Sequence, residues 1–278
     1  MVVCFQTTVT LYRQEQAVPN ANEVGSGGQR SVIDDDQLKK MMSSSKPGFF
    51  QQNKFRMVTI VLIAINVIMF GIEVLLSGLR VNIPTTVLVN MGAMYAPLIQ
   101  SAGDLYRFVT PMFLHVDLMH LGFNMVALWS VGEALERVLG KGNFIALYFV
   151  GGITGNAVSY AADVFMAGPS TVSAGASTSV FGLFVAVALL ALLHKNNRGY
   201  FAQYSKGMLA IIGVNVLYTF VVPSISISGH LGGALGGLIA MFMIPAKSLR
   251  VPNPVRIVVG VLWVASLVCL IVSQGIIG

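Results

Sequence analysis

Ser177, His230, His120 and Asn124 are the residues of this chain whose types could do chemistry together. A serine hydroxyl is a weak nucleophile until a base takes its proton, and a neutral imidazole suits that task near pH 7. Attack on a carbonyl then builds an oxyanion, which needs hydrogen-bond donors already in place. Ser177 as nucleophile and His230 as base, with His120, Asn124 and the Ser177 backbone N–H as donors, would complete the inventory of an acyl-transfer site. On the residues alone a second reading stands: His120 and Asn124 as hydrogen-bonding contacts between membrane helices.

Local spacing says how these groups can be presented. In "HVDLMHLGFNM", residues 115–125, His120 and Asn124 are four apart, about 40° around a helix, and share a face. His115 and His120 are five apart, about 140° around, which puts His115 in the loop before the helix. Zinc sites of the HExxH kind need histidines four apart, so no metal is expected. In "SGHLGGALGGLIAMF", Gly233 and Gly237 form a GxxxG ridge about one turn from His230, which lets a neighbouring backbone approach the imidazole. Gly175 and Ala176 precede Ser177 and make that segment a plausible partner.

Ser173 and Ser179 are rival nucleophiles. Ser179 lies about 200° from Ser177 around a helix, so at most one of the two can face His230. Because position 179 is serine, the Gly-x-Ser-x-Gly elbow of soluble hydrolases is absent. Asp104 and Asp117 fall in the first loop and Asp163 after the third span, so a Ser–His dyad is expected without an acidic third member.

The elements that must carry these groups are membrane helices. The 278 residues are 55% hydrophobic and 10% charged, with a mean hydropathy of +0.76. Soluble domains carry about 25% charged residues. With about 20 apolar residues needed per crossing, seven spans are expected near Met57–Leu76, Leu118–Val138, Phe144–Ala162, Ala176–Leu193, Gly207–Val222, His230–Pro245 and Ile257–Val272. Thr85–Ile99 is apolar but short and broken by Asn90, Gly92 and Pro97, so it is expected in or on the outer interface. Residues 1–56 read as a flexible polar tail, with Asp34–Asp36 a solvated acidic cluster and no apolar run of the signal-peptide kind. Residues 57–246 read as a six-span core, and 247–278 as a basic loop with a seventh helix. Cys4 and Cys269 suggest neither a disulfide framework nor a metal site.

Orientation follows from lysine and arginine. With the tail cytoplasmic and the C-terminus outside, fifteen of the seventeen basic residues fall on the inner side, all but Arg80 and Arg107. The net charge of +6 then belongs to topology and anionic lipid, and nucleic acid is not needed to explain it. Spans two, four and six all run from outside to inside. His120, Asn124, Ser177 and His230 each sit near the start of one of them, so parity puts all four in the outer half of the bilayer. A transporter would instead favour polar groups at the midplane and repeated halves, neither of which is present.

The combination of "HVDLMHLGFNM", "GAS" at Gly175–Ser177 and "GHLGGALGG", in this order and topology, resembles the rhomboid family of intramembrane serine proteases. "YRFVTPMFLH", residues 106–115, is similar to its first-loop signature, and "GEALERVLG", with Glu133 and Glu136, to its inner-side pattern. The resemblance implies an all-α fold: a six-helix transmembrane bundle plus a seventh C-terminal helix. It implies Ser177 as nucleophile, His230 as base, and His120 and Asn124 as oxyanion stabilisers. His115 would be a structural residue of the first loop, and Phe181 would lie against the catalytic imidazole. Thr178, where glycine is common, would narrow the oxyanion site. No cofactor is expected. The implied partners are transmembrane protein substrates and the bilayer, with the oligomeric state left open and a bacterial plasma membrane as the simplest setting. A member of the fold that binds helices without cutting them would lack the serine or the histidine.

Overall fold

A computed structural model describes residues 53–166, 170–221 and 226–277. Most of the expected tail, with Cys4 and the Asp34–Asp36 run, lies outside the described residues. The helices are α1 (Met57–Leu76), α2 (Thr85–Asn90), α3 (Leu118–Leu139), α4 (Lys141–Phe165), α5 (Ser177–Leu193), α6 (Arg198–Val221), α7 (Ile227–Met243) and α8 (Asn253–Ser273). Short 3-10 turns occupy the first loop between Ala96 and Phe113. No strand occurs among the described residues, only isolated bridges such as Met94 with Ser173. The chain is therefore an all-α bundle in which every long element is a helix, as backbone in lipid requires. Of these helices α1, α4 and α8 are long and apolar enough to cross a membrane, and α5 and α7 are shorter apolar helices.

Seven helices match the seven expected spans in order, with shifted ends. The largest shift is in α6, which begins at Arg198 rather than near Gly207. Its first turns carry Arg198 and Lys206, charges that hydropathy excludes from a span but that a helix holds without difficulty at a membrane edge. The third span runs on to Phe165, so Asp163 lies in the last turn of α4, not after it, and accepts from the Thr171 backbone N–H at 3.2 Å. The Thr85–Ile99 segment also differs from expectation in where its apolar side chains go. Leu88, Ala93 and Met94 are buried within the protein. Gly92, at φ +96°, turns the chain after α2 so that this segment folds back on itself.

The centre of the bundle is the packing of α7 between α4 and α5. It is built on backbone contact, not on interdigitated side chains. A β-carbon at Gly233 would collide with the Thr178 carbonyl of α5, and one at Gly237 with the Gly182 carbonyl. On the other side of α7, a β-carbon at Gly236 would stand 2.8 Å from the Val150 carbonyl oxygen of α4. Small residues permit this approach where lipid supplies no hydrophobic force between helices.

Around this centre, buried polar groups fasten the ends of the helices. Glu136 of α3 accepts from the backbone N–H groups of Val58 and Thr59 at 3.0 Å and from the Thr59 hydroxyl at 3.1 Å, which satisfies the first turn of α1. Glu133 pairs with Arg56 and Arg137. In the first loop, the buried Arg107 donates to the Val89 and Ala93 carbonyls, both at 3.0 Å.

Glycine-to-alanine exchanges separate contact from propensity. Gly237→Ala is expected to lower stability by about 1–3 kcal/mol or more through overpacking against α5. Gly122→Ala, at a position with nothing within 4 Å, is expected to be neutral or to gain up to about 1 kcal/mol. Thermal unfolding of the purified protein in detergent checks both.

Candidate active site

Ser177 is the first residue of α5, entered from an N-cap, Ala176, that makes no side-chain capping bond. The opening turn of a helix leaves its backbone N–H groups without intrahelical partners, so those of Ser177 and its neighbours remain available at the mouth of the helix. Gly175 takes φ +140°, a conformation that other residues rarely adopt, and this turns the chain sharply into α5. Its own N–H donates to the Pro111 carbonyl at 2.8 Å.

His230 stands at the start of α7. The Ser226 N-cap accepts from the Gly229 N–H at 3.0 Å and fixes where that helix begins. From there His230 Nε2 lies 2.7 Å from Ser177 Oγ, a hydrogen bond between residues 53 positions apart. The imidazole is stacked on the Phe181 ring at 4.1 Å with an interplanar angle of 16°, and both Ser177 and His230 are buried. The rival serines are placed differently. Ser179 is fully buried on the face of α5 toward Gly152 of α4. Ser173 is paired through its backbone with Met94, at 3.0 and 2.9 Å, although it borders the same cavity as Ser177.

The other two residues of the expected site, His120 and Asn124, come from α3. Asp117 caps that helix by accepting from the His120 N–H at 2.7 Å. The His120 ring lies against Gly175: a β-carbon there would stand 2.8 Å from His120 Nε2 and 3.3 Å from Ser177 Oγ. Asn124, one turn further on, is buried and donates from Nδ2 to the His120 carbonyl at 2.9 Å. His115 sits in extended chain before α3, with its ring edge-on to that of His120 at 5.3 Å. Complete burial, and after it the neighbouring His120, push the His115 imidazole well below its usual range, so this ring stays neutral. Thr178 borders the cavity, but its side chain packs toward Gly155 of α4, whose β-position is 2.7 Å from Thr178 Cβ.

A cavity of about 10 Å³ opens beside Ser177 and His230, room for about one water molecule. Its walls include Asn156 and Ser226, which sequence reasoning missed. Asn156 donates to the Phe108 carbonyl at 2.9 Å and ties α4 to the first loop. Ser226 is hydrogen-bonded to Ser159 of α4 at 2.9 Å. Glu73 was missed as well. It is buried near the C-terminal end of α1, and its carboxyl accepts from the His115 backbone N–H. An ionisable residue inside an apolar span was the signal that could have found it. Among the described residues no group of three or more His, Cys, Asp and Glu is placed to hold a metal ion.

A rhomboid-domain family model matches residues 102–247, more than half of the chain and the stretch that carries Ser177, His230, His120 and Asn124. The chain is 38% identical to the rhomboid protease GluP of Bacillus subtilis over 189 residues, covering 68% of this chain and 35% of that protein. It is 32% identical to YdcA of the same organism over 148 residues, 53% of this chain and 71% of YdcA. It is 35% identical to rhomboid-like protease 1 of Toxoplasma gondii over 154 residues, 54% of this chain and half of that protein. The chain thus spans about a third of the length of GluP and about 70% of YdcA.

The geometry makes Ser177 the hydroxyl with a base in contact. A fluorophosphonate probe is expected to modify Ser177 and to spare Ser173 and Ser179, and His230→Ala is expected to suppress the modification. Peptide mapping of the labelled protein by mass spectrometry checks this, and label on Ser179 would contradict it.

Proposed function

The chain belongs to the rhomboid family and is an integral multi-pass membrane protein, and from this we propose that it is a serine endopeptidase that cleaves membrane proteins within or beside their transmembrane segments, with Ser177 and His230 as its catalytic dyad. The observation that carries the reading is the 2.7 Å contact between Ser177 Oγ and His230 Nε2, in a buried setting beside a water-sized cavity.

The mechanism follows from these positions. His230 takes the Ser177 proton as Oγ attacks the substrate carbonyl carbon, and the imidazolium returns a proton to the departing amine. Phe181 holds the ring in plane for both transfers, the orienting task that an acidic third member performs in triads. The oxyanion is stabilised by the Ser177 backbone N–H at the positive end of α5 and by His120 and Asn124 from α3. Water entering the cavity then hydrolyses the acyl-enzyme by the same proton relay in reverse. The substrate is a single-span protein whose helix unwinds locally, because a peptide bond in an intact helix is sterically protected and its carbonyl is already bonded. Glycine, alanine or proline near the cut site favours that unwinding.

The basic residues favour a cytoplasmic N-terminus, an outward C-terminus and an active site that opens to the outer face. The six helices α1 and α3 to α7 form the catalytic core in this reading, and α8 packs outside it.

Ser177→Ala and His230→Ala are each expected to abolish cleavage of a single-span substrate in proteoliposomes without impairing membrane insertion. Asn124→Ala is expected to lower kcat by about 10²–10³, the loss seen when one oxyanion donor is removed. Full turnover by purified Ser177→Ala would refute the assignment of the nucleophile.

A further inference from the structure

We propose that Glu73 of α1 is a positioning residue for the oxyanion side of the site, acting through His115 and His120. The inference rests on the protease reading above and assigns a role that neither the motifs nor the dyad require.

Glu73 is fully buried and is the only ionisable residue of α1. A carboxyl group at such a place is costly and needs a use. That use is not charge pairing, since the ion pairs among the described residues all involve Glu133. Both carboxyl oxygens of Glu73 instead accept from one backbone group, the His115 N–H, at 3.0 and 3.2 Å. This bond spans 42 positions and grips the first loop where it straightens to enter α3.

The residues C-terminal to His115 are rigidly linked to that grip. The Ile83 N–H donates to the Val116 carbonyl at 2.8 Å, a second tie on the same segment. Asp117 then caps α3 through the His120 N–H. The buried His115 ring meets the His120 ring edge-on. His120 in turn lies against Gly175, next to the Ser177 hydroxyl. A shift of residues 114–117 therefore moves the His120 imidazole relative to Ser177 while leaving the contact between Ser177 and His230 in place. Glu73 sets the depth and angle of an oxyanion donor without touching substrate.

Glu73→Gln keeps an acceptor oxygen, Glu73→Leu removes it, and Glu73→Asp draws it back by one methylene. The three are compared with the wild type by kcat and KM on a single-span substrate in proteoliposomes, by the rate of fluorophosphonate labelling at Ser177, and by thermal midpoint. Glu73→Leu is expected to lower kcat about 10- to 100-fold with KM within about twofold, the scale of a small misplacement at a reacting centre. Labelling should slow in parallel. Glu73→Gln is expected to recover most of the rate, and Glu73→Asp, which retains the polar group if Glu73→Leu fails to fold, to show an intermediate loss in kcat alone. Unchanged kcat and labelling in the folded Leu or Asp variant would overturn the proposal, as would losses that only follow the fraction of folded protein. A wild-type protein that neither cleaves nor labels at Ser177 would instead overturn the protease reading.

Discussion

The close approach of α7 to α5 is the constraint on which the rest of the molecule depends. Ser177 and His230 belong to different helices, and a hydrogen bond of 2.7 Å between two short side chains demands that their backbones nearly touch. The missing β-carbons at Gly233 and Gly237 allow it, since each would otherwise collide with a carbonyl of α5. Gly155 and Gly236 do the same between α4 and α7, where β-positions fall 2.7 Å from the Gly229 carbonyl oxygen and 2.8 Å from that of Val150. The site is thus set by backbone contact on both sides of α7. Backbones do not repack as side chains do, and this suits a pair of groups whose separation must hold to a few tenths of an ångström.

The same region concentrates buried polarity that a lipid-facing bundle would avoid. Asn66, Glu73, His115, His120, Asn124 and Asn156 are all nearly inaccessible. Two of them, and Glu136 at the other end of the bundle, spend polar atoms on backbone groups of another segment: Glu73 on His115, Asn156 on Phe108, Glu136 on Thr59. Unsatisfied backbone is the most expensive defect in a membrane interior. Irregular chain such as the first loop is held here by side chains that complete its hydrogen bonds. The polar groups around the candidate site therefore have two tasks, to support non-helical backbone and to line the small cavity beside Ser177.

The sequence made the main helices and the polar set legible for a simple physical reason. Seven apolar runs have one parity each, and parity alone brings the starts of spans two, four and six to the same depth. The GxxxG ridge after His230 told which helix could come close, and Gly233 and Gly237 do face α5. Other features were hidden because they depend on partners rather than on periodicity. The start of α6 could not be read, since Arg198 and Lys206 look like loop by hydropathy. Thr85–Ile99 read as interfacial because its apolar content does not say that Met94 will pair with Ser173. Glu73 and Asn156 disappeared inside apolar stretches, because a single polar residue barely changes a window average. Each is nevertheless a costly exception whose burial demands a partner.

The seventh long helix shows by contrast what holds a helix that lacks such contacts. No residue of α8 is buried, and leaving lipid brings its apolar side chains no hydrophobic gain, only the packing of Leu267, Leu270 and Ile271 against Phe108, Tyr160 and their neighbours. Specific hydrogen bonds take over. Trp263 donates from Nε1 to the Thr154 hydroxyl of α4 at 2.9 Å, and Arg256 donates to the Ile244, Ala246 and Val251 carbonyls at 2.6, 3.1 and 3.0 Å. Arg256 thereby satisfies carbonyls just beyond the end of α7, and Thr154 is the residue that faces Gly236. So this helix is attached at the middle of the packing of α7 on α4, through Thr154, and just beyond the end of α7, through Arg256. Attachment through a few polar bonds at fixed points lets α8 brace the central junction without adding bulk to a place where only glycine fits.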